Sequence, residues 1–261
     1  MPIVNLPGAD LYYEVHGPEG APALVFAHGA GGNHLSWWQQ VPHFARRYRC
    51  VTFDHRGFGQ SRDLDGRSSE AFVDDLTGLL DALAIVRATF VAQSMGGWTC
   101  LNFALRDPGR VERLLMADTH GGLRSPEVDA AIAAARQAPP PALPEGVHIA
   151  AGPTMAEEQP ELAFLYSQIE ALNPRADPAD LRRRLASIGE PAAADVANLT
   201  FPVLFVVGEE DPLIPPSVIE AAAACFPNAR VERVPRAGHS VYFERPAVFN
   251  RLLAELLALV T

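Results

Sequence analysis

The sequence predicts an α/β protein: a mostly parallel sheet with helices on both faces and a helical insertion. Short runs rich in Val, Leu and Phe alternate with helix-like stretches, the pattern of a parallel sheet covered on both sides. That alternation stops near residue 120 and resumes near 200. The stretch between holds helical patterns and no clear strand.

Taken in order, "LYYEVHG" (11–17) and "ALVFAHG" (23–29) read as strands. "HLSWWQQVPHFARRY" (34–48) reads as a helix that Pro42 breaks or bends. "RCVTFDHRG" (49–57) is a third strand ending in a sharp turn. The next helix carries Phe72, Leu76, Leu79, Leu80 and Leu83 on one stripe, with Ser69 as its expected N-cap. "ATFVAQ" (88–93) is a strand, "MGGWTCLNFALRD" (95–107) a helix stopped before Pro108, and "VERLLMADT" (111–119) another strand. After the break come strands at "PVLFVVGEED" and "ARVERVP", a helix at "PSVIEAAAACF" and a final helix near "AVFNRLLAELLALV". The expected division is a core of 1–119 and 201–261 with an insertion at 120–200. Within the insertion, "ELAFLYSQIEALN" places Leu162, Leu165, Ile169 and Leu172 on one stripe, with Phe164 and Tyr166 off it. "QAPPPALPEG" reads as a stiff connector.

Composition narrows the function. With 261 residues, 48% apolar and 20% charged, the chain suits a soluble fold with a sizeable core. No run approaches the roughly 18 apolar residues of a membrane span. The first residues lack a basic segment followed by an apolar one, so a cytoplasmic location is expected. A net charge of −10 repels phosphate backbones and anionic lipid, which argues against nucleic-acid and membrane partners. All 21 basic residues are arginine. The absence of lysine excludes Schiff-base catalysis through a lysine and a Walker-type phosphate loop. Cys50, Cys100 and Cys225 lie far apart in apolar contexts and read as buried free thiols.

Open parallel sheets bind ligands beyond the carboxyl ends of their strands. Residues placed there include Ser94, Asp118, Asp211 and His239. "VAQSMGGW" puts Ser94 at a strand–turn–helix junction of the nucleophile-elbow kind, with Ala92 where a glycine is usual. The steric demand there is smallness, and Ala92 adds one methyl. A serine hydroxyl needs a base to take its proton, and a histidine needs a carboxylate to orient it. Asp211 in "VVGEEDPLIPP" and His239 in "VPRAGHSVYFE" supply both, in the order Ser, Asp, His. "FAHGAGG" adds a glycine-rich loop whose Ala30 N–H, with that of Met95, is the expected oxyanion donor pair.

Together, "HGAGG" with "WWQQVPHF", "VTFDHRGFGQS", "VAQSMGGW", "VVGEEDPLIP" and "AGHSVYFERP" resemble the α/β-hydrolase family. They run in family order across nearly the whole chain outside the insertion. The resemblance implies an eight-stranded sheet, a helical cap after the sixth strand, Ser94, Asp211 and His239 as triad, and no cofactor or metal.

Other residues are weighed against these. Asp54 and Arg56 read as a structural turn. Asp118 is an alternative triad acid. His28 is expected to order the glycine loop by hydrogen bonds. Trp98, one turn after Ser94, His120, Phe164 and Tyr166 are expected to line the substrate pocket, and Trp38 to sit in the core. "RRR" at 182–184 reads as a solvated helix face. The expected chemistry is hydrolysis of a small-molecule ester or lactone through an acyl-enzyme. Three alternatives stay open: a carbon–carbon bond hydrolase, a cofactor-free perhydrolase or haloperoxidase, and a ligand-binding receptor on the same fold. Carbon–carbon hydrolases of this kind usually carry Asn before the serine and Trp after the histidine. Gln93 and Ser240 stand there instead.

Overall fold

The computed structural model describes residues 2–137, 143, 147–174 and 178–259. Its strands are β1 (Ile3–Leu6), β2 (Ala9–His16), β3 (Ala23–Ala27), β4 (Arg49–Phe53), β5 (Arg62–Asp63), β6 (Ala88–Gln93), β7 (Val111–Ala117), β8 (Val203–Gly208) and β9 (Ala229–Val234). They form one sheet in the order β1-β2-β4-β3-β6-β7-β8-β9, with β5 paired to β2. The first two contacts, β1/β2 and β2/β4, are antiparallel, and every contact from β4 to β9 is parallel. The sheet therefore has nine strands where eight were expected. The extra one, β5, is two residues long and too short to leave a periodic signal.

The helices are α1 (Val41–Phe44), α2 (Phe72–Ala82), α3 (Met95–Arg106), α4 (Pro126–Gln137), α5 (Pro153–Glu158), α6 (Pro160–Ala171), α7 (Pro178–Ile188), α8 (Ala193–Val196), α9 (Pro216–Ala223), α10 (Val241–Glu244) and α11 (Pro246–Leu257). Helices α4 to α8 all lie between β7 and β8. The connector "QAPPPALPEG" falls mostly outside the described residues. Among the described residues, no helix is long and apolar enough to cross a membrane.

Strand side chains alternate between faces, and both faces are covered. Val25, Ala27, Phe90, Ala92, Leu114, Met116, Phe205 and Val207 pack on one side with α2, α3 and α9. Leu24, Phe26, Val91, Leu115, Ala117, Leu204 and Val206 pack on the other with α10 and α11. The central strands β3, β6 and β8 are accordingly buried at every residue, with Thr89 and Gln93 of β6 as their polar members.

Five expectations require correction. The stretch 34–48 is not one helix: Asn33 caps a 3-10 turn at His34–Trp37, accepting from the Leu35 N–H, and α1 is a separate turn with Pro42 in its first positions. The three-residue period of that turn aims Trp37 into the core and leaves Trp38 41% exposed. Ser69 is not an N-cap, because α2 starts at Phe72 after a second 3-10 turn, and the Ser69 hydroxyl meets Ser187 Oγ instead. On α6 the buried face is set by Tyr166 and Ile169, and Leu172 is exposed at its end. Cys50 and Cys100 are buried free thiols, whereas Cys225 is only half-buried.

Arg56 confirms its reading as a structural residue. It is buried, and its guanidinium forks onto Asp75 through two bonds of 2.6 Å, with Asp65 Oδ1 at 2.8 Å. Asp54 accepts from the His34 N–H and the Gln60 N–H, closing the turn beneath β4.

Helix α3 approaches the sheet closely through Gly96. A Cβ there would sit 2.2 Å from the Ala27 carbonyl oxygen, which is backbone and cannot swing aside. Replacing Gly96 by Ala is therefore expected to cost about 2 kcal/mol of stability, against about 0.5 kcal/mol or less for Gly109→Ala, whose Cβ meets open space. Urea unfolding of the two variants checks this ranking.

Candidate functional site

The turns after β6, β7 and β8 each continue the ladder by one bond. The Ser94 N–H donates to Ala117 O, the Asp118 N–H to Val206 O, and the Glu209 N–H to Val234 O. These three loops thus start in register with the strands that carry them. Ser94 has φ 49° and ψ −116°, a left-handed conformation that costs a non-glycine residue about 1–3 kcal/mol. Small neighbours permit it: Ala92 is buried in β6, and Gly96 and Gly97 lie against Ala27 and Thr119.

The structure brings Ser94, His239 and Asp211 into one hydrogen-bonded line. His239 Nε2 lies 2.9 Å from Ser94 Oγ, and His239 Nδ1 lies 2.8 Å from Asp211 Oδ2. With Nδ1–H donating to the carboxylate, Nε2 is free to accept from the serine hydroxyl. The other Asp211 oxygen accepts from the Leu213 and Ile214 N–H groups. Burial pushes the His239 imidazole down. The charge and hydrogen bond of Asp211 together push it up further, leaving it above the ordinary value of 6.5.

Asp118 also lies here but does not touch the imidazole. It is fully buried with φ 50°, and its carboxyl accepts from the Gly208 and Val241 N–H groups at 3.0 and 3.2 Å. Burial, then the neighbouring Asp211 charge, push it well above the usual carboxylate range.

The glycine loop after β3 packs directly on the elbow: a Cβ on Gly29 would sit 3.0 Å from Ser94 Cβ. Its Gly29 carbonyl accepts from the Gly32 N–H at 2.9 Å and lies 2.7 Å from His28 Nδ1. A trans peptide points its C=O and N–H in opposite directions, so holding Gly29 O inward turns the Ala30 N–H outward. Ala30 and Met95 meet Phe58, Trp98 and Ile188 in one apolar cluster. His28 is buried, and its Nε2 accepts from the His55 N–H, which fixes Nδ1 as the donor to Gly29 O.

The pocket candidates divide. Trp98 is buried one turn after Ser94, with the His120 ring at 5.5 Å. Burial pushes His120 down to about 4, so it is neutral at pH 7, and its Nδ1 is buried without a partner. Tyr166 is buried and accepts from the Ser240 hydroxyl, next to His239. Phe164 is 66% exposed and does not line the site. Two residues from Tyr166, it projects from nearly the opposite side of α6. Of the arginine run, Arg184 sits over the Phe58 ring at 5.5 Å rather than lying wholly in solvent.

Three side chains were given no place in the site from the sequence. Gln93 Nε2 donates to His239 O at 2.7 Å. The buried Glu244 carboxylate accepts from the Gly238, Ser240 and Gly152 N–H groups, clamping the loop on both sides of His239. Asn173 binds the glycine loop from the insertion. Gln93 and Glu244 lie within the Ser94 and His239 motifs and are visible there; Asn173 has no local signal.

Comparison with known proteins extends the same picture. The chain matches the model of the alpha/beta hydrolase family over residues 24–252. A protein provisionally named carbamate hydrolase RutD, from Caulobacter sp. (strain K31), is 29% identical over 95% of this chain and 96% of its own length. 3-Oxoadipate enol-lactonase 1 of Acinetobacter baylyi (strain ATCC 33305 / BD413 / ADP1) is 37% identical over 45% of this chain and 44% of its own. Among solved structures, Est816, described as an N-acyl homoserine lactone degrading enzyme, superposes with a TM-score of 0.76 at 27% identity, over 97% of this chain and 99% of that one. The strand order, the turn at Ser94 and the match over residues 24–252 agree: this chain belongs to the alpha/beta hydrolase family.

Proposed function

We propose that the protein is a serine hydrolase cleaving a small carboxylic ester or lactone through an acyl-enzyme on Ser94. The observation that carries this reading is the line from Ser94 Oγ through His239 to Asp211, set beside an outward-turned Ala30 N–H. Ser94 attacks the carbonyl as His239 Nε2 takes its proton. Asp211 holds the ring and stabilises its cation. The Ala30 and Met95 N–H groups receive the developing oxyanion, and neither is given to another acceptor among the described residues. His239 then returns the proton to the leaving oxygen. Water repeats the cycle to release the acid. In a lactone both fragments stay in one molecule, and the ring opens. The relatives' names, an enol-lactonase and a homoserine-lactone-degrading enzyme, support a cyclic or open ester as substrate.

Residues 120–200 act in this reading as a cap over the site. Tyr166 supports that role, because it reaches from α6 to Ser240 beside the base.

A fluorophosphonate probe is expected to label Ser94. In Ser94→Ala, labelling disappears and ester hydrolysis falls by roughly 10⁶-fold. Intact hydrolysis in that variant refutes the mechanism.

Protonated His239 cannot accept the serine proton, so kcat/KM falls as pH drops through its pKa. That acid limb is expected above the ordinary histidine value of 6.5. Asp211→Asn removes the charge, and with it the charged hydrogen bond, that raise the imidazole most, leaving the lesser influence of Asp118 and Glu244. It is expected to shift the limb to lower pH and to cut kcat by roughly 10⁴-fold. Asp118→Asn is expected to lose far less. Rate profiles of both variants from pH 5 to 9 decide it, and the opposite ranking moves the acid to β7.

A further inference from the structure

Asn173 stands just beyond the C-terminal end of α6, in the inserted segment, yet its side chain is spent on the core. Its Nδ2 donates to Gly31 O and to Gly32 O, each at 3.1 Å. Its Oδ1 accepts from the Gly59 N–H at 3.0 Å and lies 3.4 Å from Asn33 Nδ2. A primary amide has two N–H donors and two acceptor lone pairs, so all its hydrogen-bonding capacity is in use. Asn33 reinforces the junction by donating to Ile169 O at 2.9 Å. An aspartate of the same shape would turn a carboxylate toward two carbonyl oxygens. A serine would not span the two loop segments, 31–33 and Gly59.

The segment so held is the one that places the proposed oxyanion donor. The Gly32 N–H, which donates to Gly29 O, belongs to the peptide whose carbonyl is Gly31 O. Asn173 thus grips the far end of the peptide that turns Gly29 O inward and the Ala30 N–H outward. His28 Nδ1 holds the same Gly29 oxygen from the core side. One support comes from the sheet, and the other comes from the insertion.

We propose that Asn173 is a positioning residue for the oxyanion loop, so that docking of the inserted helices and assembly of the oxyanion site are one event. This rests on the hydrolase reading above and adds to it. On this view the insertion helps to build the catalytic site as well as covering it. Its anchor near Asn173 stays fixed while substrate enters elsewhere. Loss of the anchor weakens transition-state stabilisation more than ground-state binding, because the Ala30 N–H acts on charge that develops only during attack.

The test uses the full chain with Asn173→Ala and Asn173→Asp, and with Gln168→Ala as a control on the exposed side of the same helix. Hydrolysis of p-nitrophenyl butyrate is measured per serine titrated with fluorophosphonate, so unfolded protein lowers the titre and not the rate. Both Asn173 variants are expected to lose about 10- to 100-fold in kcat with KM changed by no more than about 3-fold. A trifluoromethyl ketone inhibitor should weaken in step with kcat. Amide hydrogen exchange in residues 29–33 should accelerate in both, without substrate, and stay unchanged in Gln168→Ala. An unchanged kcat per titrated serine, or a loss confined to KM, overturns the proposal. If wild-type Ser94 takes no label, the hydrolase reading fails, and unchanged exchange in residues 29–33 would refute the anchoring independently of it.

Discussion

Helix α3 meets the sheet where Gly96 lies against the Ala27 carbonyl, too close for any Cβ, and the site depends on it. Without a Cβ at Gly96, α3 can start immediately after β6 and still lie flat on β3. That geometry forces the intervening residue, Ser94, into its left-handed turn and lifts its hydroxyl above the strand ends. It also puts the N-terminus of α3, with the Met95 N–H, on the same side as the hydroxyl. The Ser94 hydroxyl, the Met95 N–H and the helix dipole therefore share one steric allowance. Ala92 fits within it, since the crowding that matters falls on the helical side of the turn.

Two buried carboxylates lie close to one imidazole, and their surroundings divide their work. Asp211 keeps one oxygen for His239 and gives the other to two backbone N–H groups. Asp118 spends both oxygens on backbone, one on β8 and one on the first residue of α10, so it fastens together the two segments that carry Asp211 and His239. Hydrogen-bond geometry separates the two residues. A sequence shows only two aspartates after two strands.

The elements that were legible in the sequence are those whose cause is local. The apolar strands, the glycines around Ser94, and the order Ser, Asp, His all follow from neighbours in the chain. Misreadings arose where a short-range period changed or a distant partner intervened. The 3-10 turn after Asn33 exchanged the expected surroundings of Trp37 and Trp38. Phe164 and Tyr166 looked equivalent because both lay off one stripe, whereas the partner that distinguishes them is Ser240, far along the chain. Asn173 lay beyond reach for the same reason, since its contacts are with Gly31, Gly32 and Gly59.

The ladder bonds that run from Val234 to Glu209, from Val206 to Asp118 and from Ala117 to Ser94 make the site an extension of the sheet's own pairing. A site hung on independent loops softens before its scaffold does, and such enzymes lose activity on warming while still folded. Here the Ser94 and Asp118 turns, and Glu209 two residues before Asp211, stay tied to neighbouring strands until those strands unzip, whereas the His239 loop beyond β9 is held by Gln93 and Glu244. The Ser94 and Asp118 turns therefore keep their spacing for as long as the sheet itself stays paired, so what toughens the sheet also toughens the frame of the site.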